Sequence, residues 1–549
     1  MAMSFSTENM SPPPLLTDFY QVTMCYGYWK AGIHDEPACF ELFFRKNPFQ
    51  GEFTIFGGLD DCLEFVQRFK YSETDIEFLR SVLPPSTEEK FFEYLSSLNC
   101  DSLKIYGIKE GTVVFPKVPL ISVEGPLAIC QLLETTFLNL INFSSLVATN
   151  AARFRLAAGP NVELLEFGLR RAQGPNGGLT ASKYCYMGGF DATSNLLAGK
   201  LFNIPVKGTQ AHSFICSFSS AADMKIREVA SKKTGEIVNF FELCKNKLKE
   251  IVDSFNWGIS LPEISEGELA AFCAYAIAFP DTFLALIDTY DVLRSGVINF
   301  IAVSLVLHDL GYRALGCRID SGDLSYLSKE IRVRFKQIAE MNSDLEWNSD
   351  LEWFALMKII ASNDINEETI MSLNDQQHEI TSFGVGTHLV TCQKQPALGC
   401  VYKLVAVSGQ PKIKLSQEVV KITIPGRKKC YRLYSKDGRC LLDLLTLDNE
   451  QPPEINHPIL CRHPFEEGKR AYANPGRVEA LHDLVWSNGQ IVCERPTLLE
   501  MKKRVTQTLN ELRGDHKRYL NPTPYKVSVS EKLYQFLHAF WLQNAPIGQ

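Results

Sequence analysis

The chain has 549 residues, 45% hydrophobic and 22% charged, with a formal net charge of −7, the composition of a globular protein of two or three domains with a large core. No basic field favours nucleic acid or an anionic membrane, so phosphate-bearing small molecules would have to be held by local Arg, Lys and backbone N–H groups. Sixteen cysteines run from Cys25 to Cys493 without a C-x-x-C pair or zinc spacing, the usage of a reduced, cytosolic protein. Met1 to Pro14 lacks a signal core, and the longest apolar run, Leu269 to Phe279, is too short to span a bilayer.

Leu15 to Ala31 has helical spacing with Thr17 and Asp18 near its start, and it places Tyr20 on an amphipathic helix. Ala38 to Arg45 and Phe53 to Phe56 read as strands, Asp60 to Lys70 and Glu88 to Leu98 as helices, and Ile105 to Leu120 as strands punctuated by Gly111, Pro116 and Pro119. Residues 15–125 therefore read as an α+β domain. From 126 to 398 a long helical stretch, Pro126 to Ala158, leads into short apolar runs that alternate with helical patterns. The candidate strands are Val162 to Phe167, Ile204 to Lys207, Phe283 to Asp288, Ala314 to Asp320, Lys358 to Ser362 and Ile380 to Gly384. The clearest helices are Ala181 to Leu201, Gly296 to Leu310 and Ser325 to Met341. Such a series pairs in parallel, and its length favours a barrel over an open sheet. No eighth strand stands out, so closure is expected to be irregular.

The hexapeptide Asn-Ser-Asp-Leu-Glu-Trp occurs twice in tandem, from Asn342 to Trp353, and reads as a surface insertion without a function of its own. After Gly399, the runs Val401 to Val407, Ile413 to Leu415 and Tyr431 to Leu442, with a turn at Asp437-Gly438, read as antiparallel strands. Gln451 to Gly476 reads as a proline-rich connection and the tail from Leu498 as charged helix, so residues 399–549 would pack on the other two portions.

Each apolar run of the central portion stops at polar groups. In a barrel, the loops after parallel strands open on one face, which would bring together Arg170, Arg171, Lys207, Thr209, His212, Asp288, Asp291, Arg318, Asp320, Ser321, Asp323, Asn363, Asp364, Gly384, Gly386 and Thr387. Cations and glycine turns suit phosphate, and carboxylates suit Mg²⁺ or a sugar hydroxyl. Gly384-Val385-Gly386-Thr387 ends an apolar run and could cradle a phosphate, or be a plain turn; no Walker sequence is present. Alternation puts Arg318 and Asp320 on one side of their strand, as an internal ion pair or as part of a ligand site. Asp288 and Asp291 read as site residues, or as a helix cap and a solvated group. His212 is a candidate acid, base or nucleophile beside a structural alternative, and Tyr20 and Phe167 are core residues or ring-stacking partners.

Leu16-Thr17-Asp18-Phe19-Tyr20, Phe167-Gly168-Leu169-Arg170-Arg171-Ala172-Gln173, Gly208-Thr209-Gln210-Ala211-His212-Ser213, Arg318-Ile319-Asp320-Ser321-Gly322-Asp323 and Gly384-Val385-Gly386-Thr387 together resemble the nicotinate phosphoribosyltransferases, in order, from about Leu15 through the tail. The resemblance implies an irregular (β/α) barrel of the type II phosphoribosyltransferases, with a flanking α+β domain formed by the N-terminal and C-terminal segments. It implies nicotinate, 5-phosphoribosyl 1-pyrophosphate and ATP as substrates, Mg²⁺ or Mn²⁺ as cofactor, and a cytosolic homodimer with shared active sites. By the same resemblance, His212 is phosphorylated; on physical grounds Asp320 or Asp288, the candidate catalytic carboxylates, would act on the sugar or on metal-bound water. By the resemblance again, Tyr20, Phe167, Arg171, Thr209 and Arg318 serve nicotinate, and Gly386 and Thr387 serve the phosphoribosyl substrate. The rival within the fold is the nicotinamide-specific relative, and Arg170-Arg171-Ala172-Gln173 looks like the version for a carboxylate ligand. The rival outside catalysis is an inactive scaffold, against which the set Arg318, Asp320, Thr387 and His212 argues. The type I phosphoribosyl loop, two aspartates followed by Thr-Gly, is absent.

Overall fold

The computed structural model describes residues 11–340, 351–416, 418 and 421–545. They fall into two compact units, a barrel unit of residues 153–182 and 190–391 and a flanking unit of the preceding, intervening and following segments. The tandem hexapeptide lies outside the described residues except for Leu351 to Trp353, as does the N-terminal segment as far as Met10.

Six strands build the barrel unit: β1 (Glu163–Glu166), β2 (Ala192–Thr193), β3 (Leu284–Leu286), β4 (Gly316–Ile319), β5 (Lys358–Ala361) and β6 (Ser382–Val385). They lie in the order β3-β4-β5-β6-β1-β2 with every neighbouring pair parallel. Ile204 to Lys207 contributes a single parallel bridge, Val206 to Thr193, so the seventh position is a contact more than a strand. Leu165, Ala192, Leu284 and Ile360 form one buried cluster. Since Ala192 and Leu284 come from opposite ends of the strand order, the sheet curls until its outer strands share a core.

Period-2 alternation then sorts the remaining side chains. With Leu165 and Ile360 inward, Glu163, Phe167, Lys358 and Ser362 are inward too, and the register Arg318 against Ile360 puts Arg318 and Asp320 inward beside them. On the floor, Glu163 accepts hydrogen bonds from Lys207, from Lys358 at 3.0 Å and from the Ser382 hydroxyl at 3.1 Å. Burial opposes the charged carboxylate, but the hydrogen bonds and charges of the two lysines outweigh it and hold Glu163 at about 2. Lys207, expected among the polar strand ends of the site, is committed to this floor ion pair instead.

The sheet is backed by helices, of which Val297–Asp309 is buried continuously from Val297 to Leu307. Two helical stretches, Leu127–Ala158 and Val292–Asp309, are long and apolar enough to cross a membrane, but most of each is buried within the protein, as in core helices. The expected helix Ala181 to Leu201 is broken into Gly174–Gly188, β2 and Leu196–Phe202. A Cβ on Gly188 would stand 2.5 Å from the Ala148 carbonyl oxygen, and Gly189 has a φ of +128°, so the chain leaves the helix there; Asn195 then caps the next helix through Ala198 N.

In the flanking unit the two ends of the chain interleave. One sheet has the order 410–411, 400–407, 37–44, 121–126, 104–108, 482–487, 490–491, and a second joins 470–473, 459–462, 527–530, 440–447, 428–434 and 477–480. Buried ion pairs pin the arrangement: Lys428 reaches Glu41 at 2.7 Å, and Arg432 donates twice to Asp443 at 2.8 and 2.9 Å. Removing one partner of such a pair costs about 3–5 kcal/mol. Three sequence expectations change here. Ile413 to Leu415 is not a strand, since pairing stops at Gln410–Pro411. The connection Gln451 to Gly476 contains Ile459–Arg462 and Arg470–Ala473, because Cys461 and Arg462 find partners in Ser530 and Val529. The tail carries that partner strand, Val527–Ser530, between its two helices.

Candidate active site

The inward residues above the barrel's apolar layer form a connected polar cluster. Arg318 is its hub: Nε donates to Ser362 Oγ at 2.8 Å, Nη1 to Thr209 Oγ1 at 3.1 Å, and Nη2 to Asp320 Oδ1 at 3.3 Å. Its guanidinium carbon lies 5.6 Å from the centroid of the Phe167 ring. Phe167 packs on the barrel core and over Gly384, where a Cβ would come within 2.5 Å of two ring atoms. An aromatic ring and a cation are thus set side by side within cation–π range at the barrel mouth. Arg318 and Asp320 are thus an internal ion pair and also open to the barrel mouth.

Asp288 closes the other side. Its Oδ2 accepts from Asp320 N at 3.0 Å and from the Ser321 hydroxyl, while Oδ1 is buried without a hydrogen-bond partner among the described residues. Asp291, the other half of that alternative, is the cap: its Oδ1 accepts from Leu293 N and Arg294 N at 2.9 and 2.7 Å. Asp323 similarly accepts from Tyr326 N at 3.0 Å at the start of the helix Leu324–Glu340.

His212 opens the short helix His212–Cys216, with its side chain 43% exposed. Nδ1 shares a 3.1 Å hydrogen bond with the Thr289 hydroxyl, which leaves Nε2 facing Asp288 Oδ1 at 3.9 Å and Asp320 Oδ2 at 3.7 Å. The three groups come from loops after three different strand positions, as the barrel reading requires.

A buried carboxylate shapes the neighbouring loop. Glu166 points outward from β1 and accepts from Gly168 N, from the Ser182 hydroxyl at 2.8 Å and from the Thr193 hydroxyl. That fixes the turn Leu169–Arg171, on which Arg170 and Arg171 are exposed and unpaired among the described residues. Gly386 and Thr387 follow β6 half-buried, with Phe167 N donating to Val385 O at 2.8 Å. Tyr20 belongs to the flanking unit, exposed on the helix Phe19–Lys30.

The donor set fits a divalent cation through hard oxygens: Asp288 Oδ1 is a buried carboxylate oxygen without a hydrogen-bond partner among the described residues, and it and Asp320 Oδ2 both face His212 Nε2. Among the described residues no three His, Cys, Asp or Glu side chains form a metal cage, so such an ion would draw its remaining ligands from water and substrate oxygens, the habit of Mg²⁺. Two members of the cluster escaped the sequence reading. Ser362 shares the inward parity of Ile360 and could have been found by carrying that alternation to the strand end; Thr289 adjoins Asp288 but has no sequence signal of its own.

Three family profiles match the chain: the nicotinate phosphoribosyltransferase N-terminal domain over residues 15–142, the nicotinate phosphoribosyltransferase family over 304–439 and its C-terminal domain over 427–537. The chain is 65% identical over 537 residues to a nicotinate phosphoribosyltransferase of Caenorhabditis elegans, covering 98% of this chain and 94% of that protein. It is 44% identical over 536 residues to the Homo sapiens protein of that description, covering 97% of each. The crystal structure of human nicotinic acid phosphoribosyltransferase superposes with a TM-score of 0.85 at 42% identity, over 95% of this chain and 99% of that one. A nicotinate-nucleotide pyrophosphorylase from Pyrococcus furiosus, at 17% identity over 93% of this chain and 98% of that one, shares the fold with a TM-score of 0.58. With its barrel-mouth cluster and matches of this length, the chain belongs to the nicotinate phosphoribosyltransferase family.

Proposed function

We propose that the chain transfers the phosphoribosyl group of 5-phosphoribosyl 1-pyrophosphate to nicotinate, releasing pyrophosphate and forming nicotinate mononucleotide for NAD synthesis, with ATP hydrolysis coupled through a phosphate on His212. The observation that carries this reading is the setting of His212: Nδ1 bonded to Thr289, and Nε2 turned toward two carboxylates at the mouth of the barrel.

Nicotinate is a flat anion, and a slot beside Phe167 and Arg318 would offer it a ring to stack on and a cation for its carboxylate. Arg171, exposed and without a partner among the described residues on the turn after Phe167, supplies a second cation, and Thr209 steadies Arg318. The displacement passes through a ribosyl centre that develops positive charge, which Asp288 and Asp320 stabilise, while Gly386 and Thr387 offer a backbone N–H and a hydroxyl to phosphate. In the tautomer that carries its proton on Nδ1, bonded to the Thr289 hydroxyl, His212 would present the Nε2 lone pair to the γ-phosphorus of ATP. An N–P bond then forms as the bond to the ADP oxygen breaks. Asp288 Oδ1 and Asp320 Oδ2 would hold Mg²⁺, or Mn²⁺, which offsets the charge of pyrophosphate and of the phosphorylated histidine when bound.

Tyr20 of the partner subunit would close the slot opposite Phe167 in a homodimer. The exposed residues Leu16, Phe19, Tyr20 and Met24 lie around a helix whose other face is buried, an apolar surface suited to a second copy. Sixteen free cysteines, all but Cys216, Cys400 and Cys493 buried, support a cytosolic setting.

The test is His212→Ala, with product formation from nicotinate measured with and without ATP and acid-labile phosphate sought on the protein. Basal transfer persists and ATP stimulation is lost; unchanged stimulation would sink the phosphohistidine. Offering nicotinamide in parallel decides between the two pyridines, with preference for nicotinate expected.

A further inference from the structure

The loop that carries Asp288 and Thr289 is braced from behind by a buried carboxylate that touches none of the reacting groups. Glu268, in the first turn of the helix Glu266–Ala278, is fully buried. Its Oε2 accepts from the Ser295 hydroxyl and from Asn299 Nδ2 at 3.1 Å. Ser295 Oγ in turn accepts from Ser265 N at 3.0 Å, and Asn299 Nδ2 donates to Ser265 O at 3.1 Å. The start of one helix is thereby tied to the start of the next.

Ser295 lies on a π turn, Val292–Gly296, that leads into the helix Val297–Asp309. Ser295 N and Gly296 N both donate to Asp291 O, at 3.0 and 2.9 Å. Such turns are rare, gather at functional sites and need their surroundings to hold them. This one presses on the end of β3: a Cβ on Gly296 would stand 1.8 Å from the Ile287 carbonyl oxygen. Ile287 precedes the loop 288–290 and Asp291 follows it, so the π turn fixes the loop at both ends. The loop's shape sets the bonds from Asp320 N and Ser321 to Asp288 and the bond between Thr289 and His212.

For holding two helices together, a carboxylate at this depth is a poor choice. Its Oε1 has no partner among the described residues, and burial, against the bonds from Ser295 and Asn299, pushes it up to about 7. A well-packed apolar side chain would serve stability as well or better. What an apolar side chain cannot supply is a directed acceptor for Ser295 and Asn299 together.

We infer that Glu268 is a positioning residue for the transfer of phosphate to His212: through Ser295 and Asn299 it holds the π turn, and so the Asp288–Thr289 loop that orients the imidazole. The inference rests on the reading of His212 given above.

Full-length E268Q, E268L and S295A are compared for melting, for nicotinate KM and kcat with ATP, and for the rate of phosphate transfer to His212 from γ-labelled ATP. E268Q keeps an acceptor for both bonds and phosphorylates within about threefold of the unsubstituted protein. E268L and S295A fall at least tenfold in that rate and in kcat, with nicotinate KM within threefold. A wild-type rate in S295A, or a loss in E268L matched by E268Q, overturns the positioning role. Should E268L fail to fold, S295A, which loses a single hydroxyl, decides. Should the unsubstituted protein take up no phosphate on His212, the phosphohistidine reading fails, and the inference with it. Phosphate uptake that is equal in the unsubstituted protein and in S295A removes the inference alone.

Discussion

The slot hypothesis predicts a specific failure in Gly384→Ala. Gly384 lies within β6 and its φ is not positive, so the backbone tolerates alanine and the glycine is required by its neighbour alone. The new Cβ would stand 2.5 Å from Phe167 Cδ2 and Cε2 and 3.2 Å from Ser362 Cβ. Carbon–carbon contacts settle near about 3.5 Å, so the ring must retreat by roughly 1 Å. It cannot retreat into the apolar layer of Leu165, Ala192, Leu284 and Ile360 against which it packs; it moves toward the mouth, into the space facing Arg318. Overpacking of this kind costs about 1–3 kcal/mol of stability, and loss of an aromatic stacking partner about 0.5–1.5 kcal/mol of ligand affinity, which is roughly two- to tenfold. Initial rates at varied nicotinate and saturating phosphoribosyl pyrophosphate read the second effect, and thermal melting reads the first. Gly208→Ala, whose added Cβ meets nothing within 4 Å, is the control for the mouth of the barrel. A G384A protein that melts lower yet keeps its nicotinate KM would remove Phe167 from the binding slot.

Arg318→Lys retains the charge but not the fork that serves Ser362, Thr209 and Asp320 at once. Losing two hydrogen bonds of a charged group, at about 1.5 kcal/mol each, predicts a fall of roughly a hundredfold in kcat/KM for nicotinate, and a fall of less than about threefold in steady-state assays would refute the hub. Glu163, held at about 2 instead of its usual 4.5, stabilises the fold fully above pH 4.5 and loses that contribution as pH falls through 2. The shift corresponds to about 3 kcal/mol, reduced to roughly 1 kcal/mol by solvent screening of its two half-exposed lysine partners. Urea unfolding at pH 5 and pH 3 should therefore show a smaller loss of stability for E163Q than for the unsubstituted chain; identical losses would exclude the floor ion pair as a source of acid sensitivity.

What was legible in the sequence, and what was not, follows from the range over which each feature is determined. Arg318 and Asp320 could be placed on one side of β4 because alternation is a property of two residues on one strand. The ends of β1, β3, β4, β5 and β6 could be found because each closes an apolar run of several residues. The strand β2 could not: two residues, Ala192 and Thr193, carry no period, and the helical pattern around them reads straight through the break at Gly188. Lys207 looked like a site residue because it ends an apolar run, and only the register between strands reveals that its ammonium reaches Glu163, 44 positions earlier. Glu268 gave no signal for the same reason, since its partners stand 27 and 31 residues away, on the π turn and at the start of the helix that follows it. Local pattern therefore decides which way a side chain faces, and tertiary register decides what it meets. In the barrel mouth, most of the groups proposed to bind or react could be found as polar ends of apolar runs, and their roles came from the family resemblance. Of those that hold them in place, Ser362 was within reach of the same alternation, whereas Thr289, Glu166 and Glu268 depend on tertiary register, and a substitution at any of these three would look innocuous in the sequence while moving a reacting atom.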